Sequence, residues 1–263
     1  MRVPVVQHST RRRRARRRRV LWSGGELLVT VGLVLLLLVV HQLWWTNREA
    51  RQGAERKVEA LERDWAAGGA GKGDNDSGTS GAAAPSASPR PDSGTRTPPR
   101  QQTTTARQSR PTWSQAYAVL SIPRLGLRVP VAEGVSKQNV LNKGYVGHYR
   151  GTQQPGQAGN FALAGHRNTH GEPFRYINRL RAKDVVEVET RSATYTYAVD
   201  KTLPQTLARD SGVVRPIPRS TVKPGHGYDE PGYYITLTTC TPEYTSRYRL
   251  VVWGKLISMR PRA

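Results

Sequence analysis

The chain has a single cysteine, Cys240, and its position favours a reactive thiol. It follows the apolar run YITLTT (residues 234–239), so it lies where a predicted strand opens into a loop. A thiol attacks as the thiolate, and it needs a nearby imidazole or cation to reach that form at neutral pH. The alternative is a small structural residue at a strand end. One cysteine also excludes an intrachain disulfide framework.

His166 is the histidine best placed to assist that thiol. It follows the short apolar run FALA (residues 161–164) and a glycine, which is the same strand-end placement as that of Cys240. The other histidines of this part of the chain lie in polar or Gly-rich sequence typical of ordinary loops: His148, His170 and His226. The spacing of His166 and His170 also suits a metal pair, but no further Cys or His cluster supports one.

A cationic group is the third requirement, because negative charge develops on the carbonyl oxygen under attack. The strand predicted after the Cys240 loop begins RYRL (residues 247–250). If the two strands form a hairpin, an arginine at its start approaches Cys240. Arg247 and Arg249 share a strand face, so alternation does not choose between them.

The elements that must position these residues are predicted to be strands. Short β-branched or aromatic runs are separated by Gly, Pro and Asn turns, which is typical of an all-β barrel or sandwich. A short helical turn is predicted over residues 172–180. The predicted strands cover residues 117–122, 125–131, 160–164, 185–189, 193–199, 232–240 and 247–257.

The segment TLTTC (residues 236–240) resembles the TLxTC signature of sortases. The resemblance extends to Arg249, to AGHR (residues 164–167), and to GHYRG (residues 147–151), which is similar to actinobacterial class E members. It implies a closed sortase-type β-barrel of about eight strands over residues 113–263. It also implies Cys240 as nucleophile, His166 as general acid and base, and Arg249 as the oxyanion or substrate-positioning group.

The same resemblance implies a cysteine transpeptidase that needs no cofactor and no metal. Such enzymes cleave a C-terminal sorting motif, LAXTG or LPXTG, between Thr and Gly. They hold the surface protein as a thioester and pass it to an amine of the peptidoglycan cross-bridge or its lipid-linked precursor. Candidate substrate-binding residues are Tyr145, Tyr149 and Thr239. The alternatives are an extracellular cysteine hydrolase and a non-catalytic wall-binding module.

The net charge of +22 invites a nucleic-acid-binding interpretation, which its distribution excludes. Residues 1–20 carry +9 with no acidic residue, and Leu27–Trp45 follows with a length close to the roughly 20 apolar residues that cross a bilayer. The sequence therefore predicts a cytoplasmic Arg-rich tail over 1–26 and a transmembrane helix over 27–45, with the remainder extracellular. A cleaved signal peptide is the alternative.

Residues 46–112 are predicted to connect the membrane to the folded domain. Val58, Leu61 and Trp65 have helical spacing within residues 48–65, which predicts a short juxtamembrane helix. From residue 66 to 112 the chain is rich in Gly, Ala, Ser and Pro, which predicts a disordered tether that lifts the domain away from the bilayer. The +11 over residues 113–263 favours contact with anionic wall polymers.

Overall fold

The computed structural model describes residues 8–69 and 115–262, which form one long helix and one closed β-barrel. Helix α1 spans His8–Gly69. The predicted all-β barrel of about eight strands is confirmed. Its strands are β1 (Ala116–Ile122), β2 (Leu127–Glu133), β3 (Val146–His148), β4 (Gly159–Ala164), β5 (Val185–Thr190), β6 (Ala193–Leu207), β7 (Tyr233–Thr241) and β8 (Tyr248–Pro261).

The barrel closes in the order β1-β2-β3-β4-β7-β8-β6-β5. The β2–β3 and β4–β7 pairs are parallel. The other pairs that the register defines are antiparallel, including the β7–β8 hairpin. The β4–β7 pairing places two strands that are distant in sequence side by side. These are the strands that the sequence links to His166 and Cys240.

All seven predicted strands are present, with shifted ends. β6 continues to Leu207 and β8 to Pro261, beyond the runs predicted from the sequence. Strand β3 was not predicted, because its three residues are too few for alternation to be visible. The helical turn predicted over 172–180 is a single 3₁₀ turn at Ile177–Arg179.

The barrel strands bury side chains on both faces. Phe161, Leu163, Ile235 and Leu237 belong to the interior core. A second cluster on the outer face joins Leu203, Val213, Tyr234, Val251 and Trp253. Strand residues alternate between faces. Cys240 therefore shares the outer face with Tyr234, and Arg249 shares it with Val251.

Helix α1 includes the apolar stretch and the predicted juxtamembrane helix without interruption. Among the described residues, Gly24–Ala67 is the one helical stretch long and apolar enough to cross a membrane, and its most apolar window is fully solvent-exposed. Farther along, Ala54, Val58, Leu61 and Trp65 are buried. The last three of these pack with Ala116, Val119, Ala132 and Val140 of the barrel region. Burying side chains such as Leu61 contributes roughly 1.5–3 kcal/mol each.

This docking corrects the expected position of the tether. The sequence suggested that residues 66–112 separate the barrel from the apolar stretch. Instead the helix that continues directly from Trp45 contacts the barrel through residues 54–65. The intervening part of the chain, residues 70–114, connects the end of α1 to β1 and lies outside the described residues, as does the start of the Arg-rich tail.

Candidate active site

Cys240 is the next-to-last residue of β7 and is partly exposed. The six residues before it, 234–239, are buried, so the thiol lies near the end of the packed part of the strand. Its side chain belongs to the outer face. Alternation along YITLTT produces this placement, because Ile235 and Leu237 must enter the core.

His166 lies two residues beyond the end of β4, the strand that pairs with β7. Strands β4 and β7 are parallel with Ala164 opposite Thr238, and the same register, extended by two residues, sets position 166 opposite position 240. Hydrogen bonds continue the pairing past the end of β4. Gly165 N donates to the Thr238 carbonyl (3.1 Å), and Thr239 Oγ1 donates to the Gly165 carbonyl (2.8 Å).

Arg249 lies level with Cys240 on the other side. The β7–β8 register pairs these two residues directly. The Arg249 guanidinium donates from Nη1 to the carbonyls of Ser246 (2.9 Å) and Tyr248 (3.0 Å). Arg247 precedes β8, and its guanidinium lies over the Tyr248 ring, 5.2 Å from the centroid. Strand register therefore distinguishes two arginines that alternation left equivalent.

The His166 ring is held by two neighbours. Its Nε2 lies 3.0 Å from Asn142 Oδ1, and its ring stacks on His170 at a centroid distance of 5.3 Å. With the amide oxygen as acceptor, Nε2 carries the proton and Nδ1 keeps its lone pair. Burial, together with the nearby His170 and Lys137, lowers the pKa of His166 to about 4. The imidazole is therefore neutral at pH 7 and able to accept a proton.

Arg167 links the histidine segment to the cysteine strand, a contact that the sequence did not indicate. Its side chain is 7% exposed. Nη1 donates to the Cys240 carbonyl (3.2 Å) and to Thr241 Oγ1 (2.9 Å), and Nη2 lies 3.8 Å from Glu243 Oε1. The adjacency of Arg167 to His166 was the available signal. Because β4 pairs with β7, the residue after His166 lies within hydrogen-bond distance of the Cys240 carbonyl oxygen.

The three candidate substrate-binding residues have different surroundings. Tyr149 is half-buried, and its hydroxyl lies 3.1 Å from Thr238 Oγ1, two residues before Cys240. Tyr145 packs against the cluster where α1 docks, and burial raises its pKa. Thr239 is 3% exposed and its hydroxyl is bonded to the Gly165 carbonyl. Thr239 thus has a positioning contact where a substrate contact was expected.

The structure corrects the interpretation of His148 as an ordinary loop histidine. It belongs to β3 and is fully buried, with its ring 4.8 Å from that of Phe161. Its Nδ1 lies 2.7 Å from Glu133 Oε2, and its Nε2 lies 3.0 Å from the Gln153 carbonyl oxygen. His148 is a core residue that joins β2, β3 and the following loop. Within residues 8–69 and 115–262, no His, Cys, Asp and Glu side chains form a group of three able to hold a metal.

A family model described as the sortase domain matches residues 120–257. Sortase SrtE1 of Streptomyces coelicolor is 40% identical over 228 residues, which is 85% of this chain and 53% of that protein. Sortase SrtE2 of the same organism is 33% identical over 222 residues, with 82% and 74% covered. The chain thus spans about half the length of SrtE1.

Solved structures extend the comparison. A crystal structure of Sortase E1 from S. coelicolor with a tripeptide in its active site is 50% identical, with a TM-score of 0.54, over 57% of this chain and 92% of that one. Sortase E from Streptomyces avermitilis is 40% identical with a TM-score of 0.50, over 57% and 93%. The predicted membership is confirmed: the chain belongs to the sortase family and is similar to its class E members.

Proposed function

We propose that the chain is a membrane-anchored cysteine transpeptidase that attaches surface proteins to the cell wall. The observation that carries this proposal is the placement of Cys240 between its β8 partner Arg249 and the His166 segment beside β4. A nucleophile, a base and a cation thus meet at one end of three adjacent strands. This is the set of groups that acyl transfer requires.

In the first half-reaction, the Cys240 sulfur attacks the carbonyl carbon of the Thr residue in an LAXTG or LPXTG motif. The thiol proton passes to the free Nδ1 of neutral His166 as the C–S bond forms. The resulting imidazolium then protonates the departing glycine nitrogen as the C–N bond breaks. The products are a thioester on Cys240 and the free C-terminal peptide.

In the second half-reaction, an amine of peptidoglycan or its lipid-linked precursor attacks the thioester carbonyl. A new amide C–N bond forms as His166 accepts the proton that the amine loses, and the C–S bond breaks as the imidazolium returns that proton to the sulfur of Cys240. The Arg249 cation stabilises the oxygen charge that develops in both steps, or positions the substrate chain. No metal or other cofactor enters this scheme.

The remaining site residues take different roles in the proposal. Tyr149 contacts substrate from the outer face, since its hydroxyl lies beside Thr238 on the Cys240 face. We assign Thr239 to positioning, because its buried hydroxyl holds Gly165. Tyr145 belongs to the contact with α1, and its proposed contact with substrate is weaker than that of Tyr149.

The proposed location is the cell membrane, with a single span over residues 27–45. The Arg-rich residues 1–26 stay cytoplasmic and the catalytic domain, residues 113–263, is extracellular, because positively charged flanks are retained inside. Residues 46–112 contain the docked helix and the linker. The partners are surface proteins with sorting motifs, a peptidoglycan amine and the lipid bilayer, and nucleic acid is not a partner.

A peptide ligation assay tests the proposal. The detergent-solubilised chain is incubated with LAXTG and LPXTG peptides and a glycine amine, and ligated products are measured by mass spectrometry. We expect a Thr–amine product that is absent with Cys240→Ala. Folded protein that gives no ligated product from either peptide contradicts the proposal. Release of peptide acid despite abundant amine identifies a hydrolase instead.

A further inference from the structure

Side chains of α1 bind both backbone polar groups of Gly171, which lies five residues after His166. Asn47 Oδ1 accepts a hydrogen bond from Gly171 N (2.6 Å). Arg51 Nε donates to the Gly171 carbonyl oxygen (3.1 Å). Asn47 and Arg51 are one helical turn apart and therefore lie on the same face of α1. The helix thus holds this loop at two points.

The loop needs such support because its backbone is strained. His170, Gly171 and Glu172 have φ angles of 51°, 84° and 53°. Two of these three consecutive residues carry side chains that disfavour the left-handed region. Conformations of this kind persist where surrounding contacts hold them. The loop returns to the barrel where Phe174 N donates to the His166 carbonyl (3.0 Å).

An ion pair strengthens the same contact. Arg51 Nη2 lies 2.9 Å from Glu172 Oε2, and Arg175 Nη1 lies 2.8 Å from the same oxygen. The Glu172 side chain is 6% exposed, and these two cations are its ion-pair partners. Arg51 binds Glu172 and Gly171 at once through different nitrogens. A lysine cannot reproduce both bonds.

The loop that carries Asn142 also packs against the same stretch of α1. Gly144 has a φ of 79°, and a Cβ there would lie 2.7 Å from the carbonyl oxygen of Ala50. The two side chains that contact the His166 ring, Asn142 and His170, therefore lie on two loops in contact with residues 47–51 of α1. The position of the imidazole is connected to the helix through both loops.

We propose that Asn47 and Arg51 are positioning residues for His166, so that the segment of α1 just after the apolar stretch completes the active site. The proposal rests on the proposed function of His166 as general acid and base. It makes the membrane-proximal helix part of the enzyme in addition to its anchor. Loss of these contacts leaves the barrel folded but displaces the imidazole from the thiol.

Ligation kinetics of the full-length chain in detergent test this role. We expect Asn47→Ala and Arg51→Ala to lower kcat by about tenfold, because small displacements of a catalytic group are costly. KM is expected to change by less than about twofold, since substrate contacts remain. Arg51→Lys, which retains the charge and one bond, should recover part of the rate.

Glu62→Ala provides the matched control. Glu62 lies on the same helix and pairs with Arg128 of β2, so it contributes to docking away from the His166 loop. We expect this variant to keep the original kcat. If Arg51→Ala and Glu62→Ala lower kcat equally, the stability of α1 docking alone explains the effect and the proposal is wrong. Unchanged kcat in both Arg51→Ala and Asn47→Ala would also overturn the proposal.

A second measurement does not depend on transpeptidation. The rate at which diethyl pyrocarbonate modifies His166 is followed by mass spectrometry in each variant. We expect faster modification in Asn47→Ala and Arg51→Ala and no change in Glu62→Ala. Unchanged modification in the first two variants overturns the positioning role even if the chain ligates no peptide. The chain without substitutions could fail to ligate peptide while His166 reacts faster with diethyl pyrocarbonate in Asn47→Ala and Arg51→Ala. That result contradicts the proposed function and supports the positioning role.

Discussion

Cys240 and Arg249 are direct cross-strand partners in the β7–β8 hairpin. Both side chains belong to the outer face of the barrel, beside an outer cluster that includes Val251. Directly opposite residues in an antiparallel pair have Cβ atoms about 4.5–5.5 Å apart. The hairpin therefore sets Cys240 and Arg249 side by side, and the Ser246 carbonyl of the connecting loop binds the Arg249 guanidinium.

The first prediction compares the two arginines of this hairpin. Arg249→Ala is expected to lower kcat/KM by about 10²–10³, the loss typical of removing one group that stabilises an oxyanion. Arg247→Ala, which removes the same charge outside the ladder, should leave kcat/KM within about twofold. Ligation kinetics with a sorting-motif peptide measure both. Similar losses in the two variants would contradict a specific role for Arg249.

The second prediction concerns Arg167, which bonds the Cys240 carbonyl and Thr241. Arg167→Ala leaves these acceptors without a donor and should destabilise the fold by about 2 kcal/mol. It should also change the rate at which iodoacetamide alkylates Cys240, because the Cys240 backbone loses a hydrogen bond that fixes its position. Arg191→Ala, at the exposed β5–β6 turn, is the control and should change the free energy of unfolding by less than about 0.5 kcal/mol. If Arg167→Ala changes neither the free energy of unfolding nor the rate of Cys240 alkylation, Arg167 does not hold the Cys240 segment in place.

The third prediction is the acid limb of the pH–rate profile. His166 must be neutral to accept the thiol proton, and burial, with His170 and Lys137, lowers its pKa to about 4. Cys240, Arg249 and Arg167 are titratable or charged groups at the same end of the neighbouring strands and segment. Activity should therefore persist below pH 6.5 and fall as the pH approaches about 4. An acid limb with its midpoint near pH 6.5 would contradict a lowered pKa for His166.

A paired substitution tests the cause of that lowered pKa. His170→Asn opens His166 to water and removes a second imidazole whose protonation opposes that of His166, and both effects raise the pKa of His166. Asparagine tolerates the positive φ at this position. The acid limb should move to higher pH in His170→Asn and stay in place in His226→Asn, which changes an exposed loop histidine. An unmoved acid limb in both would exclude His170 as a cause.

The fourth prediction is the linked dependence of stability on pH. Because the pKa of His166 is lower in the folded chain, the unfolded chain binds more protons between about pH 4 and 6.5. The contribution of His166 to stability therefore falls as the pH falls through this window. Thermal unfolding midpoints across the window measure it. His166→Asn should show a smaller decrease than the unmodified chain, and an identical decrease would contradict the assignment.

The fifth prediction separates positioning from substrate contact at Thr239. Thr239→Val keeps the shape but leaves the Gly165 carbonyl without its hydroxyl donor, which should cost about 1–3 kcal/mol of folding free energy. KM should stay within about twofold, because this side chain is buried. Tyr149→Phe is the comparison, and it should raise KM with little loss of stability. A raised KM in Thr239→Val would indicate that Thr239 contacts the substrate.

Much of this architecture could be predicted from the sequence. Short alternating runs predicted seven of the eight strands, because alternation of apolar and polar residues indicates which side chains enter a core. Helical spacing of Val58, Leu61 and Trp65 predicted the helix that docks on the barrel. The family motifs identified Cys240, His166 and Arg249 as one set.

Local sequence could not supply the contacts between distant segments. Arg167 bonds a residue 73 positions away, and Asn47 bonds Gly171 across 124 positions. His148 looked like a loop residue because β3 is too short for alternation to show, although it is fully buried. The docking of α1 was also hidden, since helical spacing defines an apolar face without defining its partner.

The sequence by itself indicated the candidate nucleophile and determined the strand-rich fold and the apolar stretch, since each depends on residue type and short-range spacing. Only the tertiary structure decided the strand register that makes Arg249 the direct partner of Cys240, and which groups contact His166. It also decided that α1 packs on the barrel beside the His166 loop. The physical reason is that strand register and docking follow from burial summed over the whole barrel, while sequence spacing reports only the faces of single elements.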